Sequence, residues 1–103
     1  MGSYKVAFSR LARRDLERIV SYIARDNPAA AERLGLNLVA RALSLADPVI
    51  ATAGSSLRNS GGARKLIEGA YLIIYDVYPE SGKVHVLRFW HTAQTPNRLR
   101  LGR

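Results

Sequence analysis

Hydrophobic and polar positions alternate over residues 4–8, Tyr-Lys-Val-Ala-Phe, as they do in a short strand. Ser9 then stands where a helix N-cap belongs, although Ala12 completes no capping box. Ala12, Leu16, Ile19, Val20 and Ile23 recur at helical spacing, and Arg10, Arg13, Arg14, Glu17, Arg18 and Arg25 take the opposite face. Asn27-Pro28 both stops this helix and starts the next, because Asn caps well and Pro is preorganised for a first turn. Ala31, Leu34, Leu38, Ala42 and Leu45 form the second apolar stripe, widened by Val39 and Leu43. Gly35 inside it predicts a close approach to the first helix. Asp47-Pro48 ends it, since a residue before Pro avoids the helical region. A two-residue break between two amphipathic helices predicts an antiparallel hairpin.

Residues 48–62 are rich in Gly, Ser, Asn and Pro and read as a long loop. Three strands follow, over 63–67, 70–78 and 83–91, with turns at Glu68-Gly69 and at Pro79-Glu80-Ser81-Gly82. The order β-α-α-β-β-β predicts an α+β fold, a helical hairpin on one face of a small, mostly antiparallel sheet. The whole chain, 1–103, reads as one domain with a basic tail over 92–103. In strand 70–78, Tyr71, Ile73, Tyr75 and Val77 share one face, and Leu72 and Ile74 share the other with Asp76 and Tyr78. In strand 83–91, simple alternation puts Val84, Val86, Arg88 and Trp90 together and His85, Leu87, Phe89 and His91 together. Both faces are largely apolar, and two helices cover only one. The second face is therefore either an interaction site or a surface closed by loop 48–62 and the tail.

Charge changes the picture. Lys and Arg total 16 against 8 acidic residues, giving +8, and 13 of the 16 are Arg. Arg suits bidentate contact with carboxylate or phosphate, so an acidic or nucleic-acid-linked partner is expected. The absence of cysteine excludes disulfides and thiolate chemistry and fits the cytoplasm. No apolar run reaches membrane-spanning length, no leader is visible, and no metal-ligand spacing or cofactor motif occurs.

Five motifs, in order, carry a resemblance: Phe8-Ser9 with Asp15-Leu16 and Ile19; Tyr22-Ile23-Ala24 with Asn27-Pro28 and Ala30-Ala31; Gly62-Ala63-Arg64-Lys65-Leu66; Gly69-Ala70-Tyr71-Leu72-Ile73-Ile74-Tyr75; and Val86-Leu87-Arg88-Phe89-Trp90-His91. Together they resemble the ParE branch of the ParE/RelE toxins, often labelled plasmid stabilisation proteins. The resemblance implies the same fold and the toxin role of a type II toxin–antitoxin system. The implied partner is a ParD-like antitoxin whose flexible segment wraps the toxin in a hetero-oligomer. RelE-like members cleave mRNA on the ribosome; ParE-like members are DNA gyrase poisons. Metal-free RNA cleavage needs cations at the phosphate and a general base. Where such ribonucleases often carry Arg this chain has Leu72, and no Tyr follows Tyr78. The resemblance thus implies gyrase inhibition by binding, with no catalytic residue. The alternatives are a ribonuclease using Lys65, Arg64 and His91, or a non-toxic binding module. Candidate target-binding residues are Arg64, Lys65, Arg88, His91, Arg98 and Arg100; candidate antitoxin-binding residues are Tyr71, Ile73, Tyr75, Arg88 and Trp90. Arg88, amid apolar residues, needs a partner. Either it pairs internally, with Asp76 or Glu68, or it anchors an antitoxin carboxylate.

Overall fold

The computed structural model describes residues 2–58, 60–94 and 99–103. The first strand, β1, is Lys5–Phe8, followed by α1 (Arg10–Ala24) and α2 (Pro28–Leu43). The Ser9 hydroxyl accepts the Ala12 N–H at 3.0 Å, and the Asn27 side chain accepts the Ala30 N–H at 3.1 Å, so both expected caps form. A Cβ on Gly35 would sit 3.1 Å from a Val20 methyl, which is the close helix approach expected there. After a 3-10 turn, Ser44–Ala46, the chain forms a short α3, Pro48–Ala53, and a two-residue β2, Ser55–Ser56. Neither was expected in the 48–62 loop. Asp47-Pro48 does break α2, but it also opens α3: the Asp47 carboxylate accepts the Val49 N–H at 2.9 Å and Pro48 takes the first turn.

The remaining strands are β3 (Arg64–Glu68), β4 (Tyr71–Tyr78) and β5 (Lys83–His91). Among the described residues the sheet has the order β1-β5-β4-β3-β2, with β1 parallel to β5 and every other pair antiparallel. This is the α+β arrangement expected from the sequence, with one parallel edge. Gly82, at φ 66°, follows a 3-10 turn over Pro79–Ser81 and returns the chain into β5.

One irregularity rearranges the faces. Ile74 pairs with Arg88 but Tyr75 with Val86, so Leu87 is an extra residue in β5. Past this bulge the alternation shifts by one. Phe89 joins Val84, Val86, Ile73 and Tyr75 beneath the helices, whereas Leu87 and Trp90 join Leu72 and Ile74 on the far face. The faces expected for Phe89 and Trp90 are thus exchanged. The helix-side core is closed by Ala12, Leu38, Ala42 and Leu45, and Phe8 stacks on Phe89 with ring centres 6.3 Å apart.

The far face is not bare. Leu57 and Ala63 from the connection before β3, and Leu99 and Leu101 from the chain end, pack over Leu72, Ile74 and Leu87. Loop and tail therefore close it, the second of the two arrangements the pattern left open. The tail is correspondingly not a free basic appendage: the Arg103 side chain donates to both oxygens of Asp76 and to the Ser60 carbonyl.

Candidate functional site

Because β1 stops at Phe8, the second half of β5 has no strand beside it, and α1 supplies the missing partners. The Ser9 N–H donates to the Val86 carbonyl at 2.9 Å, and its hydroxyl donates to the Leu87 carbonyl at 2.8 Å. Two turns into α1, Asp15 does the same for the next residues. Its carboxylate accepts the Phe89 backbone N–H at 3.1 Å and binds Arg88 through Nε at 2.6 Å and Nη2 at 2.9 Å. Asp15 is 7% exposed, so its charge is compensated by three donors rather than by water. The third guanidinium nitrogen of Arg88, Nη1, donates to the Arg100 carbonyl at 2.7 Å. The Arg88 guanidinium also lies 5.3 Å from the Trp90 ring centre. Arg88 is thus paired internally, with Asp15 rather than Asp76 or Glu68. Those two carboxylates meet Arg103 and Arg41 instead.

Around this pair lies an open cleft of about 590 Å³ between α1 and the ends of β4 and β5. Arg18 and Tyr22 line one wall; Tyr71, Arg88, Trp90 and His91 line the other. Tyr22 is 69% exposed, with the Arg25 guanidinium 5.9 Å from its ring centre. The Tyr71 and His91 rings meet edge-on at 5.1 Å. The His91 Nδ1 accepts the Ala93 N–H at 3.0 Å, leaving Nε2 as the ring's donor. Burial pushes the Tyr71 phenol above its ordinary pKa, so it stays a neutral hydroxyl near pH 7. The cleft offers cations, aromatic faces and hydrogen-bond donors, the groups that suit an acidic, partly apolar peptide.

Of the residues singled out in the sequence, Tyr71, Arg88, Trp90 and His91 converge on this cleft. Ile73 and Tyr75 do not: both are fully buried beneath the helices, because the face they share is the covered one. Tyr75 donates its hydroxyl to the Ala51 carbonyl at 2.7 Å, and a Cβ on Gly54 would overlap that hydroxyl. Arg64 lies beside Tyr75 and donates to the Thr52 and Gly54 carbonyls at 3.2 and 2.9 Å, holding the end of α3. Lys65 pairs with Ile74 and so belongs to the opposite face. Arg64 pairs with Tyr75 and His91 with Tyr71, four residues apart on β4, roughly 13 Å along the strand. Arg64, Lys65 and His91 therefore do not meet around one phosphate-sized space. Arg100 is exposed at its side chain. Arg98 lies outside the described residues.

Asp15, Arg18 and Tyr22 were not recognised as site residues from sequence. The available signal was Asp15 itself, a carboxylate on the apolar stripe between Ala12 and Ile19, where a charge needs a buried partner. Among the described residues no cluster of three or more His, Asp or Glu side chains could hold a metal, and no helix is long and apolar enough to cross a membrane.

The family model described as the ParE toxin of the type II toxin–antitoxin system parDE matches residues 6–96. No curated protein matches this chain. Among solved structures, a chain of the chromosomal ParDE toxin–antitoxin system from P. aeruginosa is similar at TM-score 0.73 and 19% identity, over 86% of this chain and 96% of that one. A chain of the toxin–antitoxin complex RelBE2 from Mycobacterium tuberculosis is similar at TM-score 0.65 and 26% identity, over 86% of this chain and 98% of that one. With the family model spanning the sheet, the helical hairpin and every residue of the α1–β5 cleft, the chain belongs to the ParE toxin family of type II toxin–antitoxin systems.

Proposed function

We propose that this chain acts in the cytoplasm as a toxin that inhibits DNA gyrase by binding, and that an acidic segment of a ParD-like antitoxin neutralises it by docking in the α1–β5 cleft. The observation that carries this is the contrast in convergence. Tyr71, Arg88, Trp90 and His91 gather with Arg18 and Tyr22 in one cleft, while Arg64, Lys65 and His91 are spread over two faces and four residue steps. This convergence supports a binding role, and the scatter of the cations speaks against a set built around a scissile phosphate. Losing one positioned transition-state donor commonly costs on the order of a hundredfold in rate, so a scattered trio supports little cleavage. The Arg88–Asp15 pair fixes the cleft wall and leaves Arg18, His91 and the aromatic rings to meet a partner.

Expression of the chain alone should arrest growth, and co-expression of its antitoxin should restore it. Purified protein should stall gyrase supercoiling or accumulate cleaved DNA, and should not cut mRNA in a purified translation mixture. Clear mRNA cleavage that disappears in His91→Ala or Lys65→Ala, with gyrase unaffected, would establish the ribonuclease alternative. Unimpaired growth at verified expression of folded protein would instead identify a non-toxic binding module.

A further inference from the structure

The far face of the sheet carries an apolar floor, and residues 99–101 of the same chain pack on it. Its floor is Leu72, Ile74 and Leu87, with Trp90 at one side, and Leu99 and Leu101 pack onto it from alternate positions of the tail. Two residues further on, Arg103 reaches Asp76, a carboxylate only 7% exposed, through Nε at 2.5 Å and Nη2 at 3.2 Å. The same Nη2 donates to the Ser60 carbonyl at 2.5 Å. Beside Leu11 of α1, Gly102 takes φ 75°, a left-handed conformation that favours glycine.

These contacts differ from those of a core element. No strand pairing ties residues 99–103 to the sheet, Arg100 is exposed, and Arg103 is held by side-chain bonds alone. Arg88 reaches the Arg100 carbonyl with Nη1 alone, and Nε and Nη2 remain on Asp15 whether or not the tail is there. Lifting the tail therefore orphans no charge at Arg88. It does strand Asp76, whose other side-chain donor among the described residues is the Tyr78 hydroxyl at 3.4 Å. A buried carboxylate left so poorly compensated selects for a cation in whatever replaces the tail.

We propose that this face is a second peptide-binding site, distinct from the α1–β5 cleft, and that residues 99–103 are its exchangeable occupant in cis. The ligand class is a peptide with apolar side chains at alternate positions and a cation two residues beyond the second. Its demand for a cation at Asp76 sets it apart from the acidic ligand suited to the cleft, and it stands whether or not gyrase is the target. Because the tail belongs to the same chain, it occupies the face at an effective concentration of about millimolar, so a free peptide competes only at comparable concentrations.

The chain has no cysteine and a single tryptophan, which gives two reporters on the full-length protein. A nitroxide on Arg100→Cys should be immobilised, and millimolar pentapeptide of the sequence of residues 99–103 should release a mobile fraction. The same peptide with Glu in the last place should release none. A label mobile from the outset in folded protein, or immobile at every peptide concentration, overturns the proposal. Independently, Arg103→Glu should shift Trp90 emission to the red with unchanged far-ultraviolet circular dichroism, and Asp76→Lys combined with Arg103→Glu should shift it back. Unchanged emission in the single variant overturns the proposal as well.

Discussion

Asp15 spends its carboxylate on three donors from two consecutive residues of β5, and little water reaches it. Such a pair contributes little over a well-packed apolar substitute, but removing one member leaves the other charge buried alone. Asp15→Ala should therefore destabilise the protein by about 3–5 kcal/mol in urea unfolding, and Asp15→Leu combined with Arg88→Leu should lose less than that single change. A double variant as unstable as the sum of its parts would contradict this. Tyr75 makes a second residue-scale prediction. Burial raises its pKa, against the lowering influence of Arg64, the Gly54 backbone and Arg41. A raised folded-state pKa means that stability is intact below the ordinary value of 10.0 and falls as pH rises through the folded value. Thermal stability should thus fall above pH 10. Tyr75→Phe should flatten that decline while costing about 1 kcal/mol at neutral pH for the lost bond to Ala51. Persistence of the full alkaline decline in Tyr75→Phe would place its origin elsewhere.

At the scale of elements, the sequence announces what local chemistry decides. Ser9 and Asn27 cap the helices they precede, Gly35 marks the helix contact, and β5 runs over the expected residues. It hides what depends on pairing. The extra residue at Leu87 carries no glycine or other local mark, because the bulge arises where the edge of β5 passes from β1 to the start of α1. One unmarked residue was enough to exchange the faces of Phe89 and Trp90. The burial of Ile73 and Tyr75 beneath the helices is hidden for a similar reason: both faces of β4 are apolar, so hydropathy does not say which one the helices take. Pro48 is legible as a stop and not as a start, since the six residues of α3 are too few to show a periodic stripe. The cleft was half legible. Its β-strand wall came from Tyr71, Arg88, Trp90 and His91, whereas its helical wall of Arg18 and Tyr22 looked like an ordinary solvated face.

Over the whole molecule, a net charge of +8 on 103 residues favours encounter with an acidic partner at long range. The Debye length is about 10 Å at 0.1 M salt, so that attraction is readily screened. Association with the antitoxin should slow about tenfold between low and high ionic strength, with a smaller change in dissociation rate. A salt-independent association rate in stopped-flow mixing would show that surface charge does not guide the encounter. The pairing of β1 with β5 has a different kind of consequence. Residues 5–8 meet residues 83–86, so the parallel edge of the sheet closes only when nearly all of the chain is available. The helical hairpin joins neighbours in sequence, whereas Asp15 meets Arg88 across 73 positions. At synthesis rates of about 5–20 residues per second, the growing polypeptide passes several seconds with α1 made and its cleft unbuilt. A polypeptide interrupted before β5 lacks Arg88, Trp90 and His91, so one wall of the cleft exists only once that strand has been made.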